Sequence, residues 1–120
     1  MKTSSDQKLA EKKCRPCAEG AQALSLAQAK GYIAQLSGWA LADDAKAISC
    51  LYVMKDFLAA VRFIDKIAEV AESEDHHPDL HLTGYRKLRI ELSTHSIGGL
   101  SENDFILAAK IDQLPKALKK

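Results

Sequence analysis

A chain of 120 residues, 47% hydrophobic and 28% charged, is sized for one folded domain with a core of its own. Seventeen Lys and Arg against 16 Asp and Glu leave a net charge of +1, which excludes a general electrostatic pull toward nucleic acid or anionic membrane. No run approaches the roughly 20 apolar residues that cross a bilayer, and MKTSSDQKLAEKK lacks the apolar centre of a secretory signal, so the expected compartment is the cytoplasm.

Residues 1–20 are polar and carry Pro16 and Gly20, and are expected to form a flexible arm, with one domain over residues 21–120. The arm contains Cys14 and Cys17 as a C-x-x-C, open to three readings: half of a zinc site, a redox pair, or no chemistry. The chain has no second C-x-x-C and no βαβ context, which weighs against the chemical readings. Cys50 falls in an alternating apolar run and reads as a small core residue.

In LSLAQAKGYIAQLSGW, Leu26, Ala29, Ile33 and Leu36 recur at helical spacing, with Ser25 as N-cap and Gly38 as stop. From Trp39 the period changes, and Asp43-Asp44 marks a turn between a short strand and a longer one. Asp56 then caps a helix whose apolar face is expected to be Phe57, Val61, Ile64, Ile67, Ala68 and Ala71, ended by Pro78. LHLTGY and RKLRIELST read as a second hairpin around Gly84, with Leu88, Ile90 and Leu92 on its buried face. Ser101 and Asp104 form a capping pair before a last helix with Leu107, Ala108, Ile111 and Leu114 inward, ended or kinked by Pro115. The sum is α-β-β-α-β-β-α, an α+β domain: a four-stranded antiparallel sheet with three helices covering one face.

All four histidines lie between residues 76 and 95. His76 and His77 follow a helix and His95 follows a strand, and element ends are where a fold can aim side chains into one cleft. Paired imidazoles serve acid–base chemistry, each worth about 10²–10⁴ in rate, and Glu72 and Asp75 lie just upstream to orient them. A metal site fits less well, because adjacent histidines cannot readily share one ion and no cysteine lies near them in sequence. His81 alternates within a strand and reads as a surface residue.

The strings AESEDHHPD, LSTH and GGLSENDFILAAKID, with Tyr85, the upstream Gly38-Trp39 and the KDF of Lys55 to Phe57, closely resemble the pterin-4a-carbinolamine dehydratase family over about residues 24–114. The resemblance implies dehydration of a 4a-hydroxytetrahydropterin to quinonoid dihydropterin and water, in tetrahydropterin recycling, without metal or organic cofactor. It implies His76, His77 and His95 as the catalytic set, with His77 mainly orienting the pterin. Glu72, Asp75, Ser93, Thr94, Trp39 and Asp104 are implied as substrate-binding or supporting residues. Plain roles stand beside these: Trp39 as core, Thr94 as strand, Asp104 as cap. The resemblance also implies a homodimer or homotetramer, for which the exposed face of the last helix and an edge strand are the candidate surfaces, and an aromatic amino-acid hydroxylase as pathway partner. Two alternatives remain: a dimerising binding module or transcriptional coregulator on the same fold, and a zinc protein using Cys14 and Cys17.

Overall fold

The computed structural model describes residues 9–15 and 21–120. Its elements follow the expected order: α1 (Leu26–Ile33), β1 (Ala40–Leu41), β2 (Ile48–Val53), α2 (Phe57–Glu74), β3 (Asp79–Thr83), β4 (Lys87–Leu92), a 3₁₀ turn (His95–Ile97) and α3 (Glu102–Gln113). The strands form one antiparallel sheet in the order β1-β2-β4-β3.

Strand register follows the sequence alternation. Ile48 stands opposite Leu92, Cys50 opposite Ile90 and Tyr52 opposite Leu88, while Leu80 and Leu82 of β3 join the same inward face. Ile48, Leu88, Ile90 and Leu92 have no exposed surface, and Cys50 is buried among them as expected. The other face carries Ser49, Leu51, Arg89, Glu91 and His81, and His81 is exposed as expected. At the β3–β4 turn, Gly84 and Tyr85 take φ of +54° and +57°, the left-handed region that tight hairpins require.

The helix starts are set by local side-chain chemistry, at the expected caps. Ser25 forms a capping box with Gln28, and the Asp56 carboxylate accepts the Ala59 N–H at 2.8 Å. The stops differ. α1 closes at Ala34 rather than Gly38, and α2 ends where Asp75 adopts φ +54°, allowing His76 N–H to donate to Ala71 O at 3.2 Å. Pro78 lies three residues past that stop and therefore does not set it. Before Pro115, Leu114 is extended, as a residue preceding proline prefers.

Two packing expectations are corrected. The buried face of α2 is Ala60, Phe63, Ile67 and Ala71, while Phe57 is 55% exposed. The helix carries apolar residues on neighbouring faces, and docking on the sheet selects one. In α3, every residue from Asp104 to Ala109 is buried, so the exposed face expected there for self-association is missing from this segment. Within the expected arm, Leu9 is 2% exposed and belongs to the core, and Lys110 Nζ donates to Ala10 O at 2.7 Å. Residues 9–15 are thus packed on the domain; Cys17 lies outside the described residues.

Candidate functional site

The exits of α2 and β4 are tied together by one buried carboxylate. Asp104 stands in the first turn of α3 with no exposed surface. Its Oδ1 lies 2.6 Å from His76 Nε2, beyond the end of α2. Its Oδ2 accepts the Thr94 hydroxyl at 2.7 Å, just past β4, and the Ser101 N–H at 3.0 Å. Thr94 is itself buried, and its hydroxyl also meets Ser101 Oγ at 2.8 Å. A carboxylate has no proton to give, so His76 donates from Nε2 and its Nδ1 is left to exchange protons. The His76 side chain keeps 12% of its surface, enough for one edge of the ring to reach a ligand.

His95 is set by a closed loop. Thr94 N–H donates to Gly99 O at 2.7 Å, Gly99 N–H returns to Thr94 O at 3.3 Å, and His95–Ile97 form a single 3₁₀ turn between them. Gly99 is required by close packing, because a Cβ there would lie 2.7 Å from the Ala23 Cβ.

A hollow of about 400 Å³ opens beside these groups, within the range of small-molecule sites. His76, Asp75, Thr94 and Ser96 line it, together with Cys14, Arg15, Ser73, Glu74 and Asn103. His76, Asp75 and Thr94 were expected from the sequence. His77 and His95 do not line the hollow, although the residues on either side of His95 do. His77 Nε2 lies 2.6 Å from Glu72 Oε2, with side chains 55% and 77% exposed, so this is a surface pair worth little to stability. Ser93 is turned to Lys46 O at 2.9 Å and is not part of the lining.

Two of the expected substrate contacts take structural positions. Asp104 has no surface left to touch a ligand. Trp39 is 7% exposed and its indole N–H lies 3.0 and 3.1 Å from the two oxygens of Asp112. Tyr52 hydroxyl donates to the same carboxylate. Asp112 is eight residues beyond Asp104, about 12 Å along a helix, which places Trp39 in the core rather than as a wall of the hollow. Burial and the Asp112 carboxylate push the Tyr52 phenol well above its ordinary range.

The arm supplies the wall that the sequence reading missed. The side chain of Glu74, 6% exposed, accepts the Cys14 N–H at 2.8 Å and lies 3.7 Å from Lys110 Nζ. Asn103 clamps Arg15 from both sides, accepting its N–H at 2.9 Å and donating to its carbonyl at 2.6 Å. The Cys14 Sγ sits 3.6 Å from Asn103 O, and burial first, then Glu74, pushes this thiol up to about 12. Such a thiol stays protonated at neutral pH, which disfavours redox chemistry at Cys14. Among the described residues no group of three or more His, Cys, Asp or Glu is placed to hold a metal ion, and no helix is long and apolar enough to cross a membrane.

Comparison with known proteins adds an independent line. Residues 22–114 match the family described as Pterin 4 alpha carbinolamine dehydratase. A putative pterin-4-alpha-carbinolamine dehydratase of Nitrosomonas eutropha is 46% identical over 107 residues, covering 88% of this chain and 92% of that protein. The mitochondrial pterin-4-alpha-carbinolamine dehydratase 2 of Arabidopsis thaliana is 45% identical over 88% of this chain, which spans 58% of the plant protein's length. A Brucella melitensis crystal structure, described as a transcriptional coactivator/pterin dehydratase, superposes with a TM-score of 0.71 at 32% identity, covering 76% of this chain and 96% of that one.

Proposed function

This chain belongs to the pterin-4-alpha-carbinolamine dehydratase family, and from that premise we propose that it dehydrates a 4a-hydroxytetrahydropterin to quinonoid dihydropterin and water. The observation that carries the reading is the buried Asp104–His76 pair at the edge of the hollow. Loss of the 4a-hydroxyl needs a proton delivered to that oxygen and a proton taken from a ring nitrogen. His76, held in one tautomer by Asp104, offers Nδ1 for one of these transfers. His95, exposed between two residues that line the hollow, takes the other, and His77 at the α2 exit orients the substrate. Ser96, exposed on the lining, adds a hydroxyl suited to the polar edge of a pterin. Asp104 acts in this scheme as a positioning residue, since it reaches the substrate only through His76.

The reaction serves tetrahydropterin recycling beside an aromatic amino-acid hydroxylase, and the protein works as a homodimer or homotetramer. Leu58 of α2, 56% exposed beside Phe57, and the open edge of β3 support self-association; sedimentation showing only monomer at micromolar concentration would remove that part. The test of activity is to generate the carbinolamine in solution and follow its decay by absorbance. Acceleration in proportion to protein concentration supports the dehydratase reading, and decay at the uncatalysed rate refutes it.

A further inference from the structure

At the end of the molecule where α2 begins, seven basic side chains gather around two adjoining depressions. The last residues of the chain bring them together. Lys55 N–H donates to Ala117 O and Lys119 N–H donates to Val53 O, both at 2.9 Å, and Met54 pairs with Leu118 in antiparallel fashion. This return strand lies beyond residues 22–114, the span that the family shares. It sets Lys116 beside Lys55, and with Arg62 and Lys66 of α2 they line a hollow of about 260 Å³. Lys55 and Lys116 also line the neighbouring depression, which adds Arg86, Lys119 and Lys120.

The charge here is unbalanced in a chain whose net charge is only +1. Asp56 is the one acid among the residues lining the two depressions, and its carboxylate is engaged by the Ala59 N–H as the cap of α2. The ion pairs among the described residues join Lys12 to Glu102, His76 to Asp104, His77 to Glu72, Arg89 to Glu91 and Lys110 to Glu74. None of them includes Lys55, Arg62, Lys66, Arg86 or Lys119. Like charges lining one hollow repel one another, and a bound anion relieves that repulsion.

Lys116 is held in place rather than waving in solvent. Its ammonium donates to Asp112 O and Leu114 O, both at 2.8 Å, and lies 5.2 Å from the ring centroids of Tyr52 and Phe63. Burial lowers its proton affinity, and the Asp112 carboxylate works in the opposite direction.

We propose that this hollow binds the phosphate or diphosphate group of a small molecule, at a site separate from the His76 hollow and independent of the dehydratase reading. Several cations around one concavity match the clustered oxygens and multiple charge of a phosphate better than a single carboxylate. The volume favours a compact anion over a polymer. A nucleic-acid strand would also need aromatic platforms for its bases, and the one aromatic residue lining this hollow, Phe63, is 1% exposed.

The test is calorimetric titration of the full chain with sodium pyrophosphate at physiological salt. Arg62→Gln with Lys66→Gln removes two charges while leaving a donor for the Pro115 carbonyl that Lys66 now meets at 3.5 Å. Lys13→Gln with Lys30→Gln removes the same charge elsewhere. Saturable binding that weakens about tenfold or more in the first variant and less than about twofold in the second, at unchanged melting temperature, supports the site. Arg62→Gln alone, at an exposed position, keeps the comparison if the double variant does not fold. No saturable binding, or equal weakening in both double variants, overturns the proposal. A decathymidylate that binds more tightly than pyrophosphate and loses affinity in the same variant also overturns it, by assigning the surface to a polymer.

Discussion

Replacing Asp104 with Asn changes a single atom type in a place without solvent. The Ser101 N–H can only donate, so the amide oxygen must keep facing Ser101 and Thr94, now 3.0 and 2.7 Å from Oδ2. The amide NH₂ is then aimed at His76 Nε2, which must accept instead of donate, and the ring proton moves to Nδ1, the nitrogen left for substrate. Converting charge-assisted bonds to neutral ones costs about 1–2 kcal/mol, which at this chain length lowers Tm by roughly 4–8 °C. The reversed tautomer costs far more in rate, about 10²–10⁴ in turnover. Asp104→Ala, by contrast, strips an acceptor from three donors at once and should cost about 3–5 kcal/mol. Thermal melts paired with carbinolamine turnover well below both transitions separate the two effects. An Asn variant with the parent rate, or a rate loss that tracks only its unfolded fraction, would refute the positioning role.

Three further outcomes follow from the packing. Leu9→Ala should cost about 2–5 kcal/mol in urea unfolding, because the side chain is core, whereas a detached arm predicts no change. Asp112→Ala leaves the Trp39 N–H and Tyr52 hydroxyl without this acceptor and should cost about 3 kcal/mol, yet carbinolamine turnover of the folded protein should stay within about twofold. Burial is the leading cause that raises Cys14 and Cys50 from 9.0 to about 12, and Tyr52 is raised as well. The folded state therefore holds these protons longer than the unfolded chain, so their contribution is complete below pH 9 and is lost as pH climbs toward 12. Urea midpoints measured between pH 8 and pH 11 should fall over that interval, and a flat profile would contradict the burial of these groups.

What could be read from sequence was local. Ser25, Asp56 and the Ser101–Asp104 pair announce helix starts because a cap bonds within three residues, and β4 announces itself because Leu88, Ile90 and Leu92 alternate against charge. The face of α2 was not legible, since Phe57 and Val61 compete with Ala60 and Phe63 and only the sheet decides between them. Leu9 gave no warning either, being a single apolar residue with one alanine in a polar stretch, and its burial depends on a groove made by distant elements. The site divided in the same way. His76 and Thr94 belong to local motifs, while Cys14 meets Glu74 across 60 residues of sequence and Arg15 meets Asn103 across 88, separations that leave no local pattern. Trp39 and Asp104, expected as substrate contacts, are instead engaged by the carboxylate of Asp112 and the imidazole of His76, partners far off in sequence.

The central claim is that a flat heterocycle sits against His76 in the hollow closed by Arg15 and Asn103. A crystal structure of the protein with a stable dihydropterin tests it most directly. The account predicts the bicycle in that hollow, its C4a edge facing His76 Nδ1 and its amide edge near Thr94 or Ser96. A pterin bound elsewhere, with the His76 hollow filled only by water, would contradict it.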